Sequence, residues 1–386
     1  MQAGDRAAVN KGKKIRFWCF LVPVFLLIAV LLVILKWSWI DAQARTVVVL
    51  SSILETPVLT PVVEAVTEEP RFADTSIAGN PALVVRPRGE GPRPALFFVN
   101  GVVTEGRELP EVRQLAAGLA RAGYLVIVPD LPGLRRGEIR PETVHETLEV
   151  ARAISERPDT HGGKVGLVGV STGATLALLA AEKEELEGRV SVVAGVAPYT
   201  DAKTVLDIAT TGHYQKDGRL VRYEADPFLP GVITQSLVST LPPGEDRETL
   251  LDELEEVDRL RPEFLADLRD MGPEASSVAE FLANEDPRRF DELYEGLPDG
   301  VRANMEELSP LAGDERLSVP VEVIAGPQDK YFPVSESYAI VRIAPQARVT
   351  VTEALDHVEP SSSFRDIPAF LPVNGFMVRS LREARL

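Results

Sequence analysis

Lys164–Glu182 reads KVGLVGVSTGATLALLAAE. An apolar run, Val165–Val170, merges into Gly169-Val170-Ser171-Thr172-Gly173, and small and apolar residues follow. The run predicts a strand buried on both faces, and the stretch after it a helix to about Glu185. Ser171 would then stand on a sharp strand-to-helix turn. Glycine at both outer positions would let strand and helix approach closely, and the helix N-terminus would favour developing negative charge. The five-residue pattern alone is weak, so the rest of the chain must decide whether Ser171 is a nucleophile.

Working outward, short apolar runs alternate with helical stretches. Asn80–Pro87, Ala95–Asn100, Tyr124–Asp130, Val190–Pro198, Val319–Asp329 and Ala347–His357 read as strands. ELPEVRQLAAGLARAG ends at Gly123 with a helix stop signal, and PETVHETLEVARAISE is an amphipathic helix. This alternation predicts an α/β fold with a mostly parallel sheet and crossover helices. It fails between about Tyr199 and Ser318, where short acidic helices and a hairpin at Asp217-Gly218 are expected. That stretch reads as a helical cap inserted between sheet strands.

A serine nucleophile needs a base, and the base needs an orienting acid. Of four histidines, His161 precedes the strand that leads to Ser171, His145 falls within a crossover helix, and His213 lies in the insertion. His357 alone follows the last expected strand, and Asp329 ends the loop after the strand before it. The chain order Ser171, Asp329, His357 is the nucleophile–acid–base order typical of this architecture. Asp201, after the preceding strand, is the reserve acid. Arg135 and Arg136 lie near the expected site mouth, where they would meet an anionic substrate or simply form solvated ion pairs.

With these residues in place, residues from about 71 to 376 resemble the α/β-hydrolase superfamily, near its dienelactone-hydrolase-like branch. ALFFVNG (95–101) is similar to the strand and turn that usually end in His-Gly, and GYLVIVPDLPG (123–133) to the next strand and its Asp-x-x-Gly loop. GVSTG is similar to the nucleophile elbow, GPQDKYFP (326–333) to the acid loop and LDHVEP (355–360) to the histidine loop. The resemblance implies an α/β-hydrolase fold with a helical cap. It implies Ser171 as nucleophile, His357 as general base and then acid, and Asp329 as the orienting carboxylate. The oxyanion hole would use backbone N–H groups of Val102 and Thr172, with Val103 as substitute for Val102. In this chain Asn100 replaces the usual histidine before Gly101, which leaves open how that loop is held.

The expected activity is that of a serine hydrolase acting on a small-molecule ester or lactone, with no metal or organic cofactor. A peptidase, an amidase or an acyltransferase would use the same triad. A non-catalytic membrane-tethered binding domain is the reading from another class. The net charge of −17 argues against a nucleic-acid partner, which would need a basic footprint. Metal-ligand spacings and phosphate-loop patterns are absent from the sequence.

Phe17–Leu35 carries no charge. As a helix it would span about 28 Å, close to the roughly 30 Å hydrocarbon core of a bilayer. Basic residues cluster before it (Arg6, Lys11, Lys13, Lys14, Arg16), and Trp37 and Trp39 follow it. The positive-inside rule puts the N-terminus in the cytoplasm and the hydrolase domain outside, in a single-pass cell-membrane protein. The length favours this anchor over a signal peptide cut after Ala42-Gln43-Ala44, which would give a secreted protein. Cys19, the one cysteine, falls within the apolar segment, so no intramolecular disulfide forms. The expected organisation is a basic tail (1–16), a membrane helix (17–36), and a linker (37–70) that reads as a stalk or as an added element packed on the domain. The core follows in two parts (71–198 and 319–386), with the cap (199–318) between them.

Overall fold

The apolar runs around Phe97 and Ile127 lie side by side in the middle of an eight-stranded sheet. The structure is a computed structural model that describes residues 36–54, 59–256, 260, 271–313, 316–360 and 367–385. In chain order the strands are β1 (Arg71–Ile77), β2 (Asn80–Arg86), β3 (Arg93–Val99), β4 (Leu125–Pro129), β5 (Thr160–Val170) and β6 (Val190–Val196). A separate hairpin follows, β7 (His213–Lys216) and β8 (Arg219–Arg222), and then β9 (Val321–Ala325) and β10 (Arg348–Val351). The sheet order is β1-β2-β4-β3-β5-β6-β9-β10. β2 runs antiparallel to both neighbours, and the remaining pairs are parallel.

Both faces of this sheet are covered, which is why its central strands read as continuous apolar runs. In β3, Ala95, Phe97 and Val99 join one core while Leu96 and Phe98 join the other. In β4, Leu125 and Ile127 alternate in the same way with Val126 and Val128. Among the described residues the helices of eight residues or more are α1 (Trp37–Leu54), α2 (Leu59–Val66), α3 (Pro110–Arg121), α4 (Pro141–Ser155), α5 (Thr172–Ala181), α6 (Ala202–Thr211), α7 (Phe228–Thr240), α8 (Glu245–Glu256), α9 (Pro273–Leu282), α10 (Asp299–Glu307) and α11 (Ile367–Glu383). Residues of α4 and α5 fill the first core, and residues of α1, α3 and α11 the second.

The insertion between β6 and β9 carries α6 to α10 and the β7–β8 hairpin. The hairpin turns at Asp217 (φ 51°) and Gly218 (φ 72°), a two-residue turn with both positions left-handed. The apolar side chains of α6, α7, α9 and α10 are continuous with the core on the α5 side of the sheet.

Three features depart from a simple alternating reading. β1, with six of its seven residues exposed, is an edge strand without an apolar face. It pairs through a tight turn at Ala78 (φ 48°) and Gly79 (φ 84°). α11 closes one face of the sheet, and Tyr124 donates its hydroxyl to the Leu381 carbonyl at 2.7 Å. The segment after residue 36, read above as a stalk or a packed element, forms α1. Its Ala42, Thr46, Val49, Leu50 and Ser51 are buried. Arg45 bonds to the Ala122 carbonyl, Arg385 pairs with Asp41, and the Arg382 guanidinium lies 4.3 Å over the Trp39 ring.

The basic tail and the apolar segment Phe17–Leu35 lie outside the described residues, as does part of the stretch expected to form short acidic helices (257–259 and 261–270). Among the described residues no helix is long and apolar enough to cross a membrane.

Candidate active site

Ser171 follows the last residue of β5 and directly precedes α5, with φ 53° and ψ −129°. A positive φ at a residue with a side chain stores strain of roughly 1–3 kcal/mol, which the surrounding fold must hold. The glycines on either side show how it is held. A Cβ on Gly169 would lie 2.4 Å from the Gly173 carbonyl oxygen, and one on Gly173 would lie 2.2 Å from the Val99 and Asn100 carbonyl oxygens. Strand and helix therefore meet backbone to backbone. The Ser171 N–H donates to the Val196 carbonyl at 2.8 Å, which ties the turn to the next strand. Thr175 accepts from the Tyr199 N–H (3.1 Å) and donates to the Tyr199 carbonyl (2.7 Å), fixing α5 against the loop after β6.

His357 and Asp329 meet at the same end of the sheet. His357 Nδ1 lies 2.7 Å from Asp329 Oδ2, and both side chains are buried. The other carboxylate oxygen, Oδ1, accepts the N–H groups of Tyr331 (2.8 Å) and Phe332 (3.0 Å). These bonds fix the carboxylate plane, and the His357 ring packs against Tyr331, 4.4 Å between centroids, and Phe332, 5.8 Å. The Tyr223 hydroxyl, from the cap, donates to the Asp329 carbonyl. Burial, and then the Asp329 charge, hold the Tyr223 phenol protonated well above its usual range. A Cβ on Gly326 would lie 2.4 Å from the Leu355 carbonyl oxygen, so the acid and histidine loops also touch through backbone.

Ser171 and His357 line one cavity of about 330 Å³, together with Gly101, Val102 and Thr172. Thr172 is the first residue of α5, and the first N–H groups of a helix have no partner within it. Gly101 backs directly onto the serine, and a Cβ there would sit 3.3 Å from Ser171 Cβ. The five residues singled out from sequence are thus brought together. Asp201 is not among them. It caps α6, accepting from the Lys203 N–H (3.0 Å) and the Thr204 hydroxyl (3.0 Å). His213 bonds to the Thr211 carbonyl, and His145 and His161 are exposed in α4 and at the start of β5.

The likeness of this arrangement to known proteins extends along the chain. The sequence pattern of the alpha/beta hydrolase family matches residues 96–366. The chain belongs to the alpha/beta hydrolase family. No curated protein sequence matches it. Among solved structures it is similar to the rice cell wall degrading esterase LipA from Xanthomonas oryzae, at 16% identity, covering 83% of this chain and 93% of that one (TM-score 0.46). It is also similar to an esterase from Pyrococcus furiosus, at 14% identity over 81% and 91% of the two chains (TM-score 0.43). An acylaminoacyl peptidase shares 14% identity over 81% of this chain and 41% of its own (TM-score 0.44).

This hydrolase departs from the expected pattern in how it holds the loop from Gly101 to Leu109. Asn100 is buried, and among the described residues its carboxamide oxygen and nitrogen have no hydrogen-bond partner. Asp130, at the end of β4 and 3% exposed, supports the loop instead. It accepts the Arg107 N–H at 2.8 Å and pairs with the Arg107 guanidinium and, at 3.2 Å, with Arg135. Arg135 also donates to the Thr104 carbonyl at 2.9 Å. A Cβ on Gly106 (φ 57°) would lie 2.2 Å from Asp130 Oδ1, so the loop closes on the carboxylate only with glycine there. Arg135 is therefore held in this cluster rather than offered to a substrate, and Arg136 pairs with Glu138. Sequence reasoning missed Asp130 and Arg107. The only sequence signal was the Asp-x-x-Gly turn after an apolar strand.

A second buried carboxylate, Glu336, accepts the N–H groups of Thr200 (2.8 Å) and Asp201 (2.9 Å). Burial raises its pKa, and these bonds partly oppose the rise. It joins the loop after β6 to the segment behind Asp329. Among the described residues no cluster of three or more His, Cys, Asp or Glu side chains is placed to hold a metal ion.

Proposed function

We propose that this protein is a serine hydrolase that cleaves an ester or lactone through an acyl-enzyme on Ser171. The observation that carries the reading is the His357–Asp329 bond of 2.7 Å, with His357 and the strained Ser171 lining one cavity. Asp329 accepts a hydrogen bond from Nδ1–H, which holds the proton on Nδ1 and leaves His357 Nε2 with a free lone pair. Nε2 takes the Ser171 hydroxyl proton as Oγ attacks the substrate carbonyl. The negative oxygen of the tetrahedral intermediate lies against the N–H groups of Val102 and Thr172. The imidazolium then gives its proton to the leaving alkoxide, and the C–O bond breaks. Water repeats the sequence from the same face: His357 takes its proton, the acyl–Oγ bond breaks, and Ser171 recovers its proton.

The same proposal places residues 17–36 in a membrane, with the N-terminus cytoplasmic and the hydrolase domain outside. Two observations favour an uncut chain over release near Ala44. Ala42 is 1% exposed inside α1, and Asp41 and Gln43 bond to Arg45, Arg385 and Asn374. Cleavage there would remove the first half of a packed helix. Through Trp39, Asp41 and Arg45, the first half of α1 contacts Arg382, Arg385 and the Ala122 carbonyl just before β4, whereas Ser171, Asp329 and His357 follow the far ends of parallel strands. The catalytic end therefore points away from the anchored end, separated by at least the length of β4, about 17 Å.

Labelling of the full chain in detergent with a fluorophosphonate tests the reading. Labelling that is lost in Ser171→Ala is the expected result. A folded wild-type chain that stays unlabelled would refute it.

A further inference from the structure

The cavity in front of Ser171 has two chemically different ends. At the triad end lie the hydroxyls of Ser171 and Thr172, with Lys330, Asp356 and His357. The other end runs under the cap and is walled by apolar side chains of α6, α7 and α10, among them Leu206, Val232, Leu237 and Met305. Besides the Tyr199 phenol from the loop after β6, the one polar side chain that α6, α7 and α10 add to the lining among the described residues is Ser236. Its hydroxyl already donates to the Val232 carbonyl at 2.6 Å and accepts the Ile139 N–H at 3.0 Å. Among the described residues, α6, α7 and α10 bring no charged side chain to the lining. At the rim, Phe228 and Val358 are half exposed and share the mouth with Lys330 and Asp356.

We propose that the cap end is the acyl site and that the substrate is an ester of an apolar acid with a chain of intermediate length. The inference rests on the hydrolase reading of Ser171 and deepens it. A hydroxylated or charged acyl group would lose its water and gain no partner under α7, which disfavours it. A peptide fares worse, because every residue brings an N–H and a C=O that need partners, and the walls of the cap end offer none. An alkyl chain meets neither cost, and each methylene it buries strengthens binding about fourfold. A volume of about 330 Å³ is at the small end for ligand pockets, so the gain must stop once the chain fills it. The leaving group stays at the rim beside Lys330 and Asp356, where polar or charged alcohols are tolerated.

The test uses the full chain in detergent and two series of probes. The first is Ser171 labelling by methyl and hexyl phosphonofluoridates. The second is kcat/KM on p-nitrophenyl acetate, butyrate, octanoate, hexadecanoate and hemisuccinate, with octanoyl p-nitroanilide as the amide. The expected result is labelling by both phosphonofluoridates, with hexyl at least about tenfold faster. The ester series should rise to a maximum at intermediate length and fall at hexadecanoate, and the hemisuccinate and the anilide should be poor. Val232→Trp should narrow the cavity and lower the octanoate-to-acetate ratio by about tenfold or more. Leu206→Phe serves the same purpose if that variant does not fold. Labelling by the methyl probe with a flat series, or with hemisuccinate equal to octanoate, overturns the acyl-site proposal and leaves the hydrolase reading standing. No labelling by the methyl probe overturns both.

Discussion

Replacing Asp130 with asparagine keeps the side-chain volume and removes the charge on which Arg107 and Arg135 converge. The amide oxygen can still accept the Arg107 N–H. Its NH₂ group then faces two guanidinium groups, donor against donor. Charge-assisted bonds contribute about 1.5–3 kcal/mol each. Both arginines are partly exposed, and Arg107 keeps weaker contacts with Asp74 (3.5 Å) and Glu108 (3.4 Å), so solvent recovers part of the loss. A net destabilisation of about 2–3 kcal/mol follows. The functional effect should be larger than the thermal one suggests, because the loop being loosened carries Val102. Shifting an oxyanion donor by about 1 Å costs roughly a hundredfold. Asp130→Asn should therefore lower kcat on a p-nitrophenyl ester about 30- to 300-fold, with KM changed far less. Two controls isolate the cause. Asp74→Asn, at an exposed carboxylate that also touches Arg107, should change kcat less than about threefold. Asn100→Ala removes a carboxamide that has no partner, so it should leave stability unchanged or raise it slightly. A folded Asp130→Asn enzyme with wild-type kcat, or a collapse of stability in Asn100→Ala, would refute the assignment of the loop's support to Asp130.

Three further outcomes follow from the geometry. Asp329→Asn should lower kcat by about 10⁴ through the wrong imidazole tautomer, whereas Asp201→Asn, which keeps a capping oxygen for the Lys203 N–H, should cost little stability and little activity, as read by thermal melts and ester assays side by side. Gly173→Ala puts a Cβ 2.2 Å from two carbonyl oxygens, so α5 must move off β3; both the melting temperature and the rate of fluorophosphonate labelling should fall. Asp207, buried in α6, has its pKa raised to about 6, chiefly by burial, against which a Thr211 hydrogen bond acts. Because the folded state holds this proton more tightly than the unfolded chain, stability is lost as pH rises from about 4 through about 6. Asp207→Asn should thus raise the melting temperature at about pH 7.5, by up to about 3 kcal/mol of stability, and change little at about pH 4. An equal effect at both values would show that Asp207 does not titrate there.

The parts of this molecule that could be read from sequence share a physical cause. A parallel strand covered on both faces is apolar at nearly every position, so β3, β4, β5, β6 and β9 announce themselves over five or six residues, in β9 despite Glu322, which Arg379 pairs. Function sits where those runs stop, and that is why Ser171, Asp329 and His357 could be placed at one end of the sheet. The two-residue turn at Asp217-Gly218 was legible for a similarly local reason, the left-handed backbone it needs. β1 was not, because an exposed edge strand has no buried face to impose a pattern.

What escaped was long-range. Asp130 reaches Arg107 across 23 positions, Glu336 reaches Thr200 across 136, and Gln43 reaches Asn374 across 331. None of these pairs leaves a periodicity, since a carboxylate on a loop looks the same whether it faces water or two guanidinium groups. The same blindness explains α1. Its apolar residues suit a stalk as well as a docked helix, and only the partners on α3 and α11 distinguish them. On the proposed mechanism the triad supplies the reacting atoms, and Asp130 sets where the carbonyl oxygen meets its donors. The cap, whose shape no single stretch encodes, sets which acyl group arrives. Chemistry in this chain is therefore local and legible, whereas rate and selectivity reside in contacts that only folding brings together.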